Sequence, residues 1–314
     1  MTILLATRGL DVAAWIEAIA AHMPGRKIVT PGDDFDPTAI RYVLSWRHAP
    51  GSLAGLSDLA AIFSLGAGVD HVFADPKLPK VPLVRVVDPD LTARMSEWVM
   101  LHVLLHHRQS RMYDWQQHEK IWDDDAFQPA AKDVRVGVMG LGVMGRDAVE
   151  KLALIGFDVA GWSRTRKRIA SIACFAGAAE RDLFLARTDI LVALLPLTPQ
   201  TRGILDRALF EKLARDGRLG GPILINAGRG GLQSEADILA CLDDGTLKAA
   251  TLDVFETEPL PMDSPLWSHP RVTVTPHNAA ISEPDAIVRF IAGEIEAFER
   301  GGKLAHVVDP QRQY

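Results

Sequence analysis

A glycine-rich segment, Gly140-Leu-Gly142-Val-Met-Gly145, constrains the fold of this chain more than any other feature. It directly follows the apolar residues 135–139 and directly precedes a run of helical period. In such a strand–turn–helix unit, the first glycine permits the tight turn, the second lets the backbone approach a pyrophosphate, and the third allows close packing of helix on strand. The helix N-terminus adds unpaired N–H groups and a positive dipole. The segment therefore predicts a dinucleotide-binding Rossmann unit, with glycines that serve only packing as the alternative.

Short apolar runs alternate with helical segments along all 314 residues, which predicts an α/β fold with two doubly wound parallel-sheet domains. The first half predicts a flavodoxin-like sheet with a helix at residues 11–21. Its candidate strands are residues 3–6, 27–30, 42–45, 61–65 and 83–87. The second half predicts the six strands of a Rossmann sheet. These are residues 135–139, 158–162, 190–195, 223–226, 250–254 and 272–274.

Two further helices are predicted outside this alternation. Apolar residues at helical spacing predict one long helix over residues 91–122, which we expect to connect the two domains. An amphipathic pattern over residues 284–300 ends at Gly301-Gly302 and follows the last strand of the nucleotide-type sheet. We expect this last helix to return to the first domain.

The residues after the second Rossmann strand indicate which dinucleotide is bound. An acid at this position would accept hydrogen bonds from the 2′-hydroxyl of NAD, but the chain instead has Ser163-Arg-Thr-Arg-Lys-Arg168. Hydroxyl and guanidinium groups suit a 2′-phosphate, which a carboxylate would repel. We therefore predict NADP(H) as the preferred cofactor, with NAD(H) possible and Arg164 as the main contact. A solvated basic turn is the alternative.

Polar residues follow three later strands: Arg229 in Asn226-Ala-Gly-Arg-Gly, Glu258 in Asp253-Val-Phe-Glu-Thr-Glu-Pro, and His277 in Thr275-Pro-His. Because ligands bind beyond the carboxyl ends of parallel strands, we expect these residues to share one site. Hydride transfer to a ketone leaves negative charge on oxygen, which an acid must neutralise and a cation can stabilise. Histidine is a suitable acid near neutral pH, a carboxylate on its far nitrogen favours the imidazolium, and arginine matches a 2-oxo acid. Singly, each residue also has an ordinary structural interpretation.

In combination, these motifs resemble the D-2-hydroxyacid dehydrogenase family, most closely its bacterial NADPH-dependent glyoxylate/hydroxypyruvate reductases. Further matching segments are Leu65-Gly-Ala-Gly-Val-Asp70, Leu195-Pro-Leu-Thr-Pro199 and Ser264-Pro-Leu-Trp-Ser-His. The resemblance implies that Arg229 binds and polarises the substrate, that Glu258 pairs with the histidine, and that His277 donates the proton. It implies substrate contacts from Trp46, Gly66, Ala67, Gly68, Arg229 and His277. Expected cofactor contacts are Gly140, Gly142, Val143, Met144, Gly145, Ser163, Arg164, Thr165, Lys167, Leu195, Pro196, Thr201, Ala227 and Asp253.

The resemblance also implies a domain organisation and an assembly. Residues 1–98 and 285–314 would form a discontinuous substrate domain around a cofactor domain at residues 99–284. A homodimer through residues 95–122 is expected, and the tryptophans Trp115 and Trp122 in that region suit a buried interface. His102 and His106 have the spacing of a metal pair but lack further ligands at metal-motif spacing, so no metal is predicted.

Composition excludes other partners. The chain has 34 basic and 40 acidic residues and a net charge of −6, which disfavours nucleic acid. No apolar run is long enough to span a membrane, and Cys174 and Cys241 lie far apart, so we expect a cytoplasmic protein. The predicted activity is NADPH-dependent reduction of small 2-oxo acids, glyoxylate and hydroxypyruvate, to 2-hydroxy acids. The alternatives are a non-catalytic, dinucleotide-sensing protein of the corepressor type and a relative that oxidises another small anion such as phosphite.

Overall fold

The computed structural model describes residues 1–125 and 128–314. The chain divides into two compact units. The first unit comprises residues 1–91 and 281–314, and the second comprises residues 92–280. These bounds lie close to the positions at which the sequence analysis divides the chain. The assignment of substrate and cofactor roles to the two units remains a prediction.

The first unit, all of whose residues are described, contains a five-stranded parallel sheet in the order β2-β1-β3-β4-β5. This is the flavodoxin-like order, so the predicted fold of the first half is confirmed. The strands are β1 Thr2–Thr7, β2 Lys27–Val29, β3 Ile40–Trp46, β4 Ala61–Ser64 and β5 Leu83–Val84. The helices are α1 Val12–His22, α2 Asp70–Phe73 and α9 Pro284–Glu299, together with the start of α3 Pro89–His107.

The C-terminal segment completes the first unit. Ile287 and Ile291 of α9 are fully buried and join the cluster that includes Ile3 and Leu5 of β1. After α9 ends, the chain forms an antiparallel bridge from Val307 to the edge strand β5. The apolar face of this helix is therefore buried on the first sheet, as its sequence pattern requires.

Within its described residues, the second unit forms a seven-stranded parallel sheet in the order β12-β11-β10-β9-β6-β7-β8. Its first six strands along the chain follow the Rossmann order 3-2-1-4-5-6, and β12 extends one edge. The strands are β6 Arg135–Met139, β7 Asp158–Ser163, β8 Ala173–Ala176, β9 Ile190–Ala193, β10 Ile223–Asn226, β11 Ala249–Leu252 and β12 Val272–Val274. The helices are α4 Ser110–Glu119, α5 Val143–Ile155, α6 Gly177–Ala186, α7 Arg207–Phe210 and α8 Glu235–Asp243, with most of α3.

The prediction of six strands in this half was wrong by one. The missed strand, β8, is short and partly exposed at the edge of the sheet. An edge strand pairs on one side only, so it does not need the continuous apolar run that identifies the central strands.

The predicted single helix over residues 91–122 was also wrong. The structure forms α3 and α4 as separate helices, because Gln109 adopts a left-handed conformation with φ +55° and interrupts the hydrogen-bond ladder. Leu101 and Trp115 expose about half of their surface, and Trp122 is fully exposed. The homodimer through this region stays a prediction.

Over the ranges that the structure describes, every helix is too short or too polar to cross a lipid bilayer. The same residues contain no group of three or more side chains arranged to hold a metal ion. His106 of the apparent metal pair instead lies with its Nε2 2.8 Å from the Thr251 hydroxyl.

Candidate active site

The glycine turn between β6 and α5 has the geometry that a bound pyrophosphate needs. Gly140 has φ +106°, and a Cβ there would lie 2.6 Å from the carbonyl oxygen of Leu194. A Cβ on Gly145 would lie 1.8 Å from the carbonyl oxygen of Gly140. A Cβ on Gly142, in contrast, would meet no described atom within 4 Å. The first and third glycines are thus required by packing, whereas the second borders open space at the N-terminus of α5.

The first turn of α5 keeps its N–H groups available for a ligand. Gly142 is the N-cap, and no side chain in the described part of the protein caps this helix end. Val143 and Met144 follow directly, so both expected cofactor contacts lie in the first helical turn. Unpaired N–H groups and the helix dipole favour an anion here.

The basic turn after β7 divides into residues with different surroundings. Ser163 is buried and donates a 2.8 Å hydrogen bond to the carbonyl oxygen of Thr165. Arg166 pairs with Glu180 and donates to the carbonyl oxygen of Cys174. Arg164, Thr165 and Lys167 are exposed. The exposed part of the turn therefore presents cations and a hydroxyl, without a carboxylate at the strand end.

The loops after β9 and β10 lie against each other. Ala227 donates from its backbone N–H to the carbonyl oxygen of Ala193 at 3.2 Å, and a Cβ on Gly228 would lie 2.8 Å from the carbonyl oxygen of Leu195. The Thr201 hydroxyl donates to the carbonyl oxygen of Pro196 at 2.7 Å and closes the loop after β9. Strand β9 is adjacent to β6, so Leu195, Pro196 and Thr201 follow the strand beside the glycine turn, and Ala227 follows the next strand, β10.

Arg229 is held by a buried amide network. Asn226, fully buried at the end of β10, accepts a 3.0 Å hydrogen bond from the N–H of Gly228. Its side-chain amide donates to the carbonyl oxygen of Arg229 at 3.2 Å and to Oε1 of Gln233 at 2.8 Å. One side chain thereby fixes the backbone on both sides of the arginine, whose own side chain is half-buried.

The same network joins this loop to the loop after β11. Gln233 donates from Nε2 to the carbonyl oxygen of Val254 at 2.9 Å. Gly230 lies so close to Phe255 that a Cβ would come within 1.8 Å of the Phe255 carbonyl oxygen. Any side chain at residue 230 would separate the loop that carries Arg229 from the loop that carries Glu258.

The structure brings Glu258 and His277 together. The Nδ1 atom of His277 lies 2.8 Å from Oε2 and 3.0 Å from Oε1 of Glu258. The backbone N–H of Phe255 donates to Oε1 at 3.2 Å and orients the carboxylate. The side chain of His277 is 32% exposed and that of Glu258 is 19% exposed. The carboxylate is therefore enclosed while the ring keeps an accessible side for a reaction partner.

Asp253 fixes the loop that carries His277. Its carboxylate is buried and accepts from the Thr275 hydroxyl at 2.6 Å and from the N–H groups of Asn278 and Ala279 at 3.0 Å. Its carbonyl oxygen accepts from the N–H of His277 at 2.8 Å. Burial raises the pKa of Asp253, and these hydrogen bonds oppose that shift. The residue was predicted as a cofactor contact, but its carboxylate oxygens serve the loop after β12.

The remaining predicted substrate residues lie together within the first unit. A Cβ on Gly66 would lie 2.6 Å from the indole ring of Trp46. The Ser64 hydroxyl donates to the carbonyl oxygen of Gly68 at 2.8 Å and accepts from the N–H of Gly66 at 3.4 Å. Within the described ranges, the N–H groups of Ala67 and Gly68 have no acceptor. Successive N–H groups of this kind suit an anion.

The sequence analysis missed Gln233 and Ser64 and did not find the structural role of Asp253. Gln233 is a polar residue in a loop that already contains several, so no local pattern distinguishes it. Ser64 ends an apolar strand, as many serines do. Only the hydrogen bonds between loops identify these side chains.

A Rossmann sheet with a glycine turn, together with a histidine–carboxylate pair beyond the carboxyl ends of its strands, defines a nicotinamide-dinucleotide-dependent oxidoreductase. The profile of the NAD-binding domain of D-isomer specific 2-hydroxyacid dehydrogenases matches residues 99–279. The chain belongs to the D-isomer specific 2-hydroxyacid dehydrogenase family. The predicted family and enzyme class are thereby confirmed.

Several relatives are similar over nearly the full chain. Glyoxylate/hydroxypyruvate reductase A of Serratia proteamaculans is 40% identical over 94% of this chain and 94% of its own length. The NADPH-dependent glyoxylate/hydroxypyruvate reductase of Sinorhizobium meliloti, crystallised with NADP and sulfate, is 48% identical with a TM-score of 0.95, covering 100% of this chain and 99% of that one. A probable 2-hydroxyacid dehydrogenase of Rhizobium etli, in complex with NADP, HEPES and L(+)-tartaric acid, is 45% identical with a TM-score of 0.94 and the same coverage.

Proposed function

We propose that this protein is an NADPH-dependent reductase that converts small 2-oxo acids, glyoxylate and hydroxypyruvate, into 2-hydroxy acids. The observation that carries the proposal is the contact between His277, which follows β12, and Glu258, which follows β11. Strand β11 lies between β12 and β10, and β10 precedes Arg229. A histidine held by a carboxylate supplies the proton that a carbonyl reduction needs. An arginine nearby matches the planar oxygens of a 2-oxo acid.

NADP(H) is the proposed cofactor because the turn after β7 exposes Arg164, Thr165 and Lys167 without an acid. Relatives in this family from Sinorhizobium meliloti and Rhizobium etli were crystallised with NADP. The glycine turn and the first turn of α5 would hold the pyrophosphate of NADP(H). The loops with Leu195 and Ala227 would contact the rest of the cofactor. NAD(H) would bind more weakly because the basic turn offers no carboxylate to accept hydrogen bonds from a ribose 2′-hydroxyl.

The bound cofactor supplies the hydride that adds to the 2-oxo carbon. His277 holds a proton on Nε2 and gives it to the carbonyl oxygen as negative charge develops there. Glu258 keeps the Nδ1 proton in a hydrogen bond, so that it fixes the orientation of the ring and stabilises its charged form. Arg229 polarises the carbonyl and binds the acid. The balance is 2-oxo acid, NADPH and a proton to 2-hydroxy acid and NADP⁺.

The backbone of Gly66, Ala67 and Gly68 would receive the substrate carboxylate, and Trp46 would contribute to the pocket. The N–H groups of Ala67 and Gly68, which have no acceptor among the described residues, support this assignment. The first unit then acts as the substrate domain and the second as the cofactor domain. A cytoplasmic homodimer that associates through residues 95–122 completes the proposal.

Absorbance at 340 nm tests the proposed function directly. Purified protein with NADPH and either glyoxylate or hydroxypyruvate should consume NADPH, and His277→Ala should lower turnover by roughly 10²- to 10⁴-fold with NADPH affinity intact. Tight NADPH binding without turnover on any short 2-oxo acid would instead favour the corepressor-type alternative. Turnover with phosphite and NADP⁺ alone would favour the anion-oxidising alternative.

A further inference from the structure

Arg85, in the first unit, is a half-buried cation without a counter-charge in the described part of the chain. It follows β5 directly, and its backbone N–H donates to the carbonyl oxygen of His306 at 3.2 Å. Within residues 1–125 and 128–314, no side chain or carbonyl group forms a hydrogen bond or ion pair with its guanidinium. Burial lowers the pKa of this guanidinium, and no neighbouring charge among the described residues opposes the shift.

Three partly or largely buried arginines of the protein are paired. Arg26 forms a bidentate pair with Glu299, Arg135 pairs with Asp189 and Asp216, and Arg187 pairs with Asp158. The side chains of these three arginines are between 16% and 24% exposed. A guanidinium removed from water is costly unless oxygen atoms replace the lost solvent. Arg85 is half-buried, and among the described residues it lacks the partner that these arginines have.

The sheet register places Arg85 beside the glycine loop. Phe63 of β4 pairs with Val84 of β5, so the next residues along the two parallel strands, Ser64 and Arg85, are neighbours. Ser64 is the residue whose hydroxyl holds the carbonyl oxygen of Gly68. Arg85 thus lies beside the end of β4, the strand from which the loop with Gly66, Ala67 and Gly68 begins.

The two neighbours also share a face of the sheet. Ile62 and Leu83 belong to one buried cluster, whereas Phe63 and Val84, one residue later in each strand, belong to another. Since side chains alternate along a strand, Ser64 and Arg85 lie on the side of Ile62 and Leu83. The cation and the serine that shapes the glycine loop are therefore on the same side.

We propose that Arg85 binds an oxygen-bearing substituent on C3 of the substrate and so selects 2-oxo acids that carry a C3 hydroxyl. This inference rests on the proposed function, in which the glycine loop receives the carboxylate and Arg229 and His277 act on the carbonyl. Those groups account for every oxygen of glyoxylate. An additional guanidinium beside the glycine loop has an acceptor only when the substrate extends by a further oxygen, as hydroxypyruvate does.

Two substrates that differ only in that oxygen provide the test. Hydroxypyruvate and pyruvate differ by the C3 hydroxyl, and glyoxylate lacks C3 altogether. We would measure kcat/KM for all three with NADPH in the wild type, in Arg85→Met and in Arg85→Lys. Arg41→Met is the matched control, because Arg41 is an exposed arginine near the start of β3, at the opposite end of the same sheet.

The wild type should have a higher kcat/KM for hydroxypyruvate than for pyruvate. Arg85→Met should reduce the ratio of the two kcat/KM values by about 10- to 100-fold, which corresponds to the loss of a hydrogen bond to a charged group. The loss of kcat/KM for hydroxypyruvate should come mainly from a higher KM, and kcat/KM for glyoxylate should stay unchanged. The hydroxypyruvate-to-pyruvate ratio of Arg85→Lys should lie between those of the wild type and Arg85→Met. The midpoint of thermal unfolding of Arg85→Met should not fall, because the variant removes a half-buried charge that has no partner among the described residues. An unchanged ratio, or an equal loss on all three substrates, would overturn the assignment. A wild type that reduces none of the three would instead reject the proposed function.

Discussion

The carboxylate of Asp253 should control the rate of the reaction without touching the reacting atoms. Replacement by asparagine keeps the shape of the side chain but turns one oxygen into an NH₂ group. That group would face a donor, because the hydroxyl of Thr275 and the N–H groups of Asn278 and Ala279 all donate to the carboxylate. Asp253→Asn therefore loses one or two hydrogen bonds and places donor against donor.

The size of the effect of Asp253→Asn on stability and kcat follows from the three hydrogen bonds to the carboxylate. A hydrogen bond to a charged group contributes about 1.5–3 kcal/mol, and the neutral amide recovers part of the cost of burying a charge. We expect a net loss of about 1–3 kcal/mol in the free energy of unfolding. A displacement of His277 by an ångström lowers turnover by roughly 10²-fold, so kcat should fall about 10- to 100-fold.

Two measurements and a control variant separate the possible roles of Asp253. Asp253→Asn should lower kcat while the Kd for NADPH stays within about threefold, since the glycine turn is unchanged. Asp206→Asn is the matched control, because Asp206 caps α7 through the N–H of Leu209 and should change stability but not kcat. A normal kcat in Asp253→Asn would refute the positioning argument. A weakened NADPH affinity with normal kcat would instead support the direct cofactor contact that the sequence predicted.

Three further predictions concern the cofactor, the proton donor and pH. Replacing Arg164 by alanine should lower the kcat/KM preference for NADPH over NADH by about tenfold, and an unchanged ratio would remove the residue from the 2′-phosphate site. Glu258→Gln should lower kcat by roughly 10²-fold and shift the pH profile of turnover, whereas a profile identical to the wild type would show that the carboxylate does not act through His277. Burial lowers the pKa of His102 to about 4. The unfolded chain takes up this proton near pH 6.5, so His102 alone should lower the free energy of unfolding by about 3 kcal/mol between pH 6.5 and pH 4. Urea titrations of the wild type and His102→Leu at both pH values should show the smaller loss in the variant.

The candidate site was predictable wherever chemistry and chain position coincide. Gly140 and Gly145 stand in a fixed spacing between a strand and a helix, and the structure shows why neither position accepts a side chain. Glu258 and His277 were paired from their positions after neighbouring strands, and their side chains do meet. In both cases the requirement is local, so residue type and spacing suffice.

The sequence by itself determined the α/β class, the central strands, the glycine turn and the family. Buried parallel strands need continuous apolar runs, and the turn needs glycine at defined positions. The tertiary structure alone decided the edge strand β8, the break at Gln109, the loop contacts of Gln233 and Asp253, and the half-buried position of Arg85. These features depend on which distant backbone and side-chain groups come into contact after the sheets have formed. Local periodicity does not predict these contacts, because the groups that meet are separated along the chain.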